Sequence, residues 1–197
     1  MSFSYAWVDG PLQLLETPGA RHDINDHPAH LIANDMAYAH NCMIRGLNAL
    51  YVQAPNIPAP DVPDFLFFAV SLAEWIMHHH ELEASMIFSS FESIPGVVKG
   101  SMQGNIEQHH AFESGLKALR QYSTEAHESF DGTHFNSLIG AFGKEFRQHL
   151  ADEIPTPWAM DCVPNNSPES KRLSDLWKRI NFEAAKIGEF HHDADGA

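Results

Sequence analysis

The chain has 197 residues and a formal charge of −14 at pH 7, because 26 aspartates and glutamates outnumber 12 lysines and arginines. This negative charge argues against binding to nucleic acid or to an anionic membrane surface. A hydrophobic content of 44%, with 11% aromatic residues, is typical of a globular protein and excludes a disordered one. No segment approaches the roughly 18 consecutive apolar residues of a membrane span. The beginning of the chain lacks the features of a secretory signal, so we expect a cytoplasmic protein.

The first half of the chain contains two long helical patterns. Residues 1–23 are rich in proline and glycine and predict an irregular N-terminal arm. Apolar residues then recur at helical spacing over 24–53, and the proline-rich segment 55–63 ends this helix. A second helical pattern covers 63–91, and the segment 93–104, SIPGVVKGSMQG, interrupts it.

Two further helices follow in the second half. The patterns predict helices over 103–124 and 134–153, and Asp131 or Thr133 is available to cap the second of them. No useful alternation typical of strands is present. We therefore predict an all-α protein with four long helices and short connections, which favours an antiparallel four-helix bundle.

The predicted domain organisation has three parts. The arm covers 1–23, the bundle covers 24–157, and a C-terminal extension covers 158–197. The extension contains a shorter, more polar helical pattern over 171–190. We expect it to pack on the bundle or to be partly flexible.

Each predicted helix carries a histidine in its apolar stripe: His40, His79, His109 and His149. Three of these histidines have a glutamate four residues later: Glu83, Glu113 and Glu153. Spacing of four places both side chains on the same helix face.

A single pair of this kind is usually a solvated salt bridge, but three pairs on the apolar faces of three helices favour a metal site. Burying these groups without a metal would carry a large desolvation cost. Mixed imidazole and carboxylate donors suit iron, manganese or zinc better than calcium or magnesium. Seven candidate ligands are too many for one tetrahedral zinc ion, so we predict two metal ions.

Four motifs carry a resemblance to a known family: HNCMIRGLNALY (40–51), HHHELEASMIF (78–88), EQHHAFESGL (107–116) and HLADEIPT (149–156). Together they resemble the hemerythrin-like, or HHE cation-binding, domain, and especially its stand-alone fungal members. The resemblance covers about residues 24–157. It implies a four-helix bundle around a non-haem di-iron centre, with two iron ions joined by an oxo or hydroxo bridge; manganese or zinc could replace the iron.

The resemblance also implies a ligand set. His109, Glu113 and His149 match the ligands of one iron ion, and His40 and His79 match those of the other. The second iron ion would keep a coordination position open for dioxygen or a related small molecule.

The two remaining glutamates match the carboxylates that bridge the metal ions, Glu83 and Glu153. The sequence departs from oxygen-carrying members of the family at two positions. Those proteins have a histidine where this chain has Glu113, and an aspartate five residues beyond the last histidine where this chain has Glu153 at four. An anionic ligand at position 113 would stabilise the ferric state, which argues against reversible oxygen carriage.

The neighbours of the predicted ligands keep open roles. His80 and His110 could be outer-shell partners or boundary residues, and His80 could also substitute as a ligand. Glu145 could orient the His149 imidazole from the outer shell. We expect His78 to face solvent.

Two functions compete at this point, and a third possibility is a structural or storage role in which the metal only supports folding. The chain could be a di-iron protein that binds dioxygen or a related small molecule, or a di-iron oxidoreductase that activates oxygen to act on a small organic substrate. A substrate-sized apolar cavity beside the metal ions would favour the enzyme, and residues 93–104 or the tail after 157 could form its wall.

Overall fold

The computed structural model describes residues 10–185, so residues 1–9 and 186–197 lie outside the described part of the chain. The elements are helices α1 (Pro28–Gln53), α2 (Val62–Leu82), α3 (Phe88–Glu92), α4 (Gln103–Glu125), α5 (Gly132–Glu153), α6 (Pro155–Trp158) and α7 (Pro168–Ala185). A π-helical turn, Glu83–Ile87, joins α2 to α3. No strand occurs within residues 10–185, which confirms the predicted all-α class.

Local sequence signals explain where two of the long helices begin. Pro28 occupies the first position of α1, where its missing N–H needs no partner, and the His27 side chain accepts a hydrogen bond from the Ala29 N–H. Helix α1 therefore begins four residues later than the apolar pattern predicts. At the start of α5 the Asp131 carboxylate accepts hydrogen bonds from two N–H groups, of Thr133 and His134, so Asp131 rather than Thr133 is the cap.

The four long helices share one hydrophobic core. Helix α4 packs against both α2 and α5, and α1 contacts α2 and α5. Helices α4 and α5 approach closely at Gly115, where a Cβ atom would lie 2.6 Å from the Cβ of Phe142. No helix within residues 10–185 is both long enough and apolar enough to cross a membrane.

A second core lies beside the first and includes the C-terminal extension. Its apolar side chains come from the start of α1, from α3, from the segment after α6 and from α7. Trp177 of α7 donates a hydrogen bond through Nε1 to the Asp35 carboxylate of α1, 2.9 Å away. Residues 168–184 therefore pack on the long helices in the described structure.

Three asparagines at seven-residue intervals on α1 hold the segment that precedes the helix. The Asn48 amide accepts a hydrogen bond from the N–H of Leu12 and donates one to the carbonyl of Leu12. The Asn41 amide makes the same two hydrogen bonds with the backbone of Leu15. Asn34 accepts a third from the Gly19 N–H. Residues 12–19 of the segment predicted to be irregular are therefore fixed to α1 by side-chain amides, which serve as hydrogen-bond partners for the backbone.

Candidate metal centre

The end of α2 and the π-helical turn that follows it supply three of the polar groups in the core. Glu83 follows His79 by four residues and His80 by three, so its carboxylate lies between the directions of the two imidazoles. The π-helical turn begins at this glutamate, where the Phe88 N–H donates to the Glu83 carbonyl across five residues. Single π-helical turns within α-helices often occur at functional sites.

The other long helices supply four more groups. His40 comes from α1, His109 from α4, and His149 and Glu153 from the last turn of α5. All four are buried, and the glutamate has no solvent exposure. Polar groups from four helices therefore meet inside the protein.

Each glutamate faces imidazoles from two sides. Glu83 Oε1 lies 2.7 Å from His79 Nε2, and its Oε2 lies 3.7 Å from His109 Nε2. Glu153 Oε2 lies 3.4 Å from His40 Nε2 and 3.6 Å from His149 Nε2.

The donor atoms form two groups that share Glu83. One group contains His40, His79 and Glu83, and its donor atoms all lie within 4.8 Å of one another. The second group, with the same spacing, contains His80, Glu83, His109 and His149. Each group is compact enough to surround one metal ion, and the shared carboxylate lies between them.

Nine polar atoms of this cluster are buried and make no hydrogen bond of regular geometry, although His79 Nε2 and Glu83 Oε1 lie only 2.7 Å apart. They are the Nε2 atoms of five histidines and both carboxylate oxygens of two glutamates: His40, His79, His80, His109, His149, Glu83 and Glu153. Buried polar atoms in proteins almost always have a partner, and leaving one without a partner costs roughly 1–3 kcal/mol. The donor set therefore fits a pair of cations, which would satisfy all nine atoms.

In three of the clustered histidines the other ring nitrogen, Nδ1, lies beside an oxygen atom that can only accept a hydrogen bond. His40 Nδ1 lies 3.0 Å from the Leu150 carbonyl, and His80 Nδ1 lies 2.8 Å from the Ile76 carbonyl. His149 Nδ1 lies 3.2 Å from Gln108 Oε1. These contacts place the proton on Nδ1 and leave the Nε2 lone pair directed at the cluster, as in metal-binding histidines.

Burial raises the pKa of both glutamates. The pKa of Glu83 rises to about 8, mainly because the charged form is desolvated. The pKa of Glu153 is raised well above its usual value by burial and, to a lesser degree, by the neighbouring charge of Glu83. Without a cation, both carboxyl groups therefore retain their protons at neutral pH.

Burial acts in the opposite direction on the imidazoles. It lowers the pKa of His109 to about 4 and that of His149 to about 3. The pKa values of His40, His79 and His80 are also lowered, chiefly by burial. All five rings are consequently neutral at neutral pH, which is the form that coordinates metals.

Six of the seven predicted ligands meet in the cluster, and Glu113 does not. Its side chain is 44% exposed and pairs with Lys117 on the surface of α4. The nearby lysine lowers the pKa of this carboxyl group. In this structure the residue faces the outside of α4, while His109 of the same helix faces the core, so Glu113 lies outside the cluster.

His80 occupies the place that the sequence prediction gave to Glu113. Its ring contacts the rings of His109 and His149, with centroids 4.8 and 5.1 Å away. The signal in the sequence is a second histidine three residues before Glu83, which brings two imidazoles to one carboxylate. A spacing of four residues alone does not include this histidine.

The structure also places three neighbours of the predicted ligands. The His110 side chain is 80% exposed. Glu145, which could have oriented the His149 ring, is exposed, and Gln108 contacts this ring instead. His78 is only partly exposed, and its Nε2 atom is shielded from solvent without a hydrogen-bond partner.

A cleft of about 690 Å³ lies between α2 and α4 beside the cluster. Among the clustered residues, His80 and His109 line it. Its floor is apolar, with Met77, Phe112 and Leu116. This volume is within the usual range of small-molecule sites, about 300–1,000 Å³.

The wall of this cleft differs from the one expected. It is formed by α2 and α4, and neither the loop before α4 nor the tail after Pro157 lines it. The Trp158 ring instead stacks on His30, with centroids 3.8 Å apart, and fastens the tail to α1.

Comparison with known proteins gives one close match. The chain is 32% identical over 188 residues to the dimeric xanthone biosynthesis cluster protein R11 of Cryptosporiopsis sp. (strain 8999), covering 93% of this chain and 70% of that protein. No family model matches the chain. No solved structure is significantly similar to it.

Proposed function

The chain belongs to the same family as the xanthone cluster protein R11, and we propose that it is a non-haem di-iron protein that binds dioxygen or a related small molecule. The observation that carries this proposal is the set of nine buried donor atoms without hydrogen bonds. Their types, five imidazole nitrogens and four carboxylate oxygens, suit iron, with manganese or zinc as alternatives. The charge of the two ionised carboxylates would offset half of that of two divalent ions.

The proposed ligand assignment follows the two groups of donor atoms. One ion would be held by His40 and His79, and the other by three histidines of α2, α4 and α5. Glu83 and Glu153 would be shared, because each contacts an imidazole from both groups. The first ion would have one fewer imidazole ligand and would therefore leave more room for a small molecule.

This arrangement supports the resemblance to the hemerythrin-like domain. The four long helices would form its antiparallel four-helix bundle, with metal ligands directed inward from each helix. The exchange of Glu113 for His80 also removes the anionic terminal ligand from the predicted set. With His80 in place of Glu113, no anionic ligand at position 113 would favour the ferric state over reversible oxygen binding.

The bound metal ions would supply a site for dioxygen and the electrons that reduce it. The residues of the chain would orient the ligands, exclude bulk water and hold protons. The carbonyl of Leu150 fixes the ring of His40, and Gln108 fixes that of His149. The raised pKa of Glu83 would let its carboxyl group hold a proton whenever a metal ion leaves it.

A second candidate function is a di-iron oxidoreductase that acts on a small organic substrate. The cleft beside His80 and His109 favours this function, because a protein that only binds dioxygen needs no cavity of about 690 Å³. R11 is a protein of a biosynthesis cluster for dimeric xanthones. An oxidative step on an aromatic compound would agree with both observations.

Elemental analysis of protein purified without chelators tests the proposal. We expect about two iron ions per chain, and a visible absorption band that disappears on anaerobic reduction and returns in air. His79→Ala and Glu83→Ala should lose one or both ions and unfold at a lower temperature. A protein that takes up neither iron nor manganese, or variants that keep their full metal content, would overturn the ligand assignment.

The two candidate functions differ in the fate of oxygen. If the band of the oxygenated protein disappears again under vacuum without loss of iron, oxygen is carried reversibly. Consumption of oxygen that accelerates when an aromatic compound is added would instead favour the oxidoreductase.

A further inference from the structure

The cleft between α2 and α4 carries one more carboxylate than basic groups. Three glutamates and two basic residues line it: Glu74, Glu81, Glu113, Lys117 and Arg120. Arg120 donates two hydrogen bonds to Glu74, at 2.9 and 2.6 Å, and Lys117 pairs with Glu113. Glu81 is exposed, and within residues 10–185 its carboxylate makes no ion pair or hydrogen bond. With neutral histidines the cleft therefore has a net negative charge, which favours a cation over an anion.

Two of these carboxylates lie at the same level of the cleft, on opposite walls. Three contacts between α2 and α4 show that the helices run antiparallel: Glu74 with Arg120, His80 with Phe112, and Glu83 with His109. This register brings Glu81 of α2 to the level of Phe112 and Glu113 of α4. His110 lies on the same wall as Glu113, with its Nδ1 atom 3.8 Å from Glu113 Oε2. A cation that enters between the helices therefore meets two carboxylates and an imidazole.

The inner end of the cleft is formed by two histidines of the metal-binding cluster. His80 and His109 line the cleft and are only 6% and 8% exposed. Their Nε2 atoms are shielded from solvent and make no hydrogen bond. An ion in the open cleft cannot contact these nitrogens while both rings keep their positions, so the rings separate the cleft from the cluster.

The two rings differ in how firmly they are held. His80 Nδ1 lies 2.8 Å from the Ile76 carbonyl, which fixes this ring. His109 Nδ1 makes no hydrogen bond within residues 10–185 and is not one of the atoms shielded from solvent. His109 Nε2, on the other side of the ring, lies 3.7 Å from Glu83 Oε2. His109 is therefore the less restrained ring, and it contacts the cleft and the cluster at once.

We propose that the cleft is the entrance through which divalent metal ions reach the cluster, with Glu81 and Glu113 as the carboxylates that attract the hydrated ion. The cleft volume of about 690 Å³ exceeds the roughly 200 Å³ of an ion with six water molecules at about 30 Å³ each. His110 and then His109 replace water molecules of the ion, and a turn of the His109 ring opens the way to Glu83. The inference rests on the proposed function, because it requires that the cluster binds metal.

The rate of metal uptake tests this role. Chelator-treated protein of full length is mixed with excess Co²⁺ in the absence of oxygen, and the visible absorption of the bound ion is followed by stopped flow. At about 0.1 M ionic strength the Debye length is about 10 Å, so charges in the cleft act on the ion and distant charges do not. We expect Glu81→Gln and Glu113→Gln each to lower the second-order rate constant about two- to fivefold. This difference should nearly disappear in about 1 M salt, where the Debye length is about 3 Å.

Two further variants separate electrostatic attraction from a general disturbance of the structure. Lys117→Gln removes the positive charge beside Glu113 and should therefore raise the rate constant. Glu145→Gln is the matched control, because Glu145 is exposed on α5, lies four residues before His149 and does not line the cleft. Its rate constant should stay unchanged. No acceleration in Lys117→Gln, or equal slowing in Glu145→Gln and Glu81→Gln, would overturn the proposal.

The metal content at the end of uptake separates the entrance from the cluster itself. Every variant should finally hold two ions per chain, because none of the substitutions changes a residue of the cluster. Two ions bound at the same rate in all variants would overturn the entrance and leave the proposed function standing. A protein that takes up neither cobalt, iron nor manganese would overturn both.

Discussion

The stability of the metal-free protein should pass through a maximum close to neutral pH and decline on both sides. The folded chain keeps protons on two carboxyl groups, because burial raises the pKa of Glu83 to about 8 and that of Glu153 well above its usual value. The unfolded chain loses both protons near pH 4.5. Above this value the folded state therefore binds up to two more protons, and its stability falls as pH rises.

The five clustered histidines act in the other direction. Their pKa values are lowered in the folded state, so they stay neutral, whereas in the unfolded chain they bind protons below about pH 6.5. Five groups with this pKa bind two protons at about pH 6.7, where the two effects cancel. Each proton by which the folded and unfolded states differ changes the free energy of unfolding by about 1.36 kcal/mol per pH unit. Stability should therefore fall by roughly 1–2 kcal/mol per unit as pH rises from 7 to 8. It should also fall by about 2–4 kcal/mol per unit as pH drops from 6 to 5.5.

Urea unfolding followed by circular dichroism, with a chelator present, measures this curve. Metal-loaded protein is the comparison: its clustered carboxylates are ionised and its imidazoles are neutral, so its stability should stay level or rise between pH 7 and 8. Glu153→Gln removes one bound proton and should weaken the alkaline decline of the metal-free protein by about 1.4 kcal/mol per unit. The matched variant Glu113→Gln should leave it unchanged, because that group is partly exposed and ionised in both states. A metal-free protein whose stability rises from pH 7 to 8 would refute the reasoning.

Three further predictions concern individual side chains. His80→Ala should lower metal affinity at least tenfold, whereas Glu113→Ala should keep full metal content; the opposite result in elemental analysis would restore the ligand set predicted from spacing. Asn41→Leu removes two hydrogen bonds to Leu15 and leaves a buried N–H and carbonyl without partners. It should therefore lower the free energy of unfolding by about 2–3 kcal/mol and expose the segment before α1 to proteolysis. Unchanged cleavage would contradict this role. Asp131→Ala removes a helix cap and should lower the temperature of thermal unfolding, and no change would mean that water replaces the cap.

The sequence predicts the all-α class and most of the cluster because both depend on helical periodicity. His79 and Glu83, or His149 and Glu153, are four residues apart, and this spacing places each pair on one face whatever the surroundings. Lone histidines such as His40 could be assigned only because they interrupt an apolar stripe. These features are local and are therefore visible without a structure.

The features that the sequence did not reveal depend on contacts between distant segments. Glu113 has the correct spacing from His109, but the rotation of α4 against its neighbours turns it outward to Lys117. The partners of the segment before α1 lie 26 and 36 residues further along the chain, at Asn41 and Asn48. The cleft also depends on how α2 and α4 diverge, which no spacing within one helix specifies.

The position of Glu153 explains why this cluster should respond so strongly to a cation. It is the last residue of α5, where the negative end of the helix dipole disfavours a second negative charge and favours a positive one. The same end of α5 leads directly into α6 and the segment that packs in the second core. A cation held there would fix the junction between the two cores. We therefore expect metal binding to slow hydrogen exchange in α7 as well as in the long helices, although no residue of α7 belongs to the cluster. Protection confined to the long helices would mean that the two cores unfold independently.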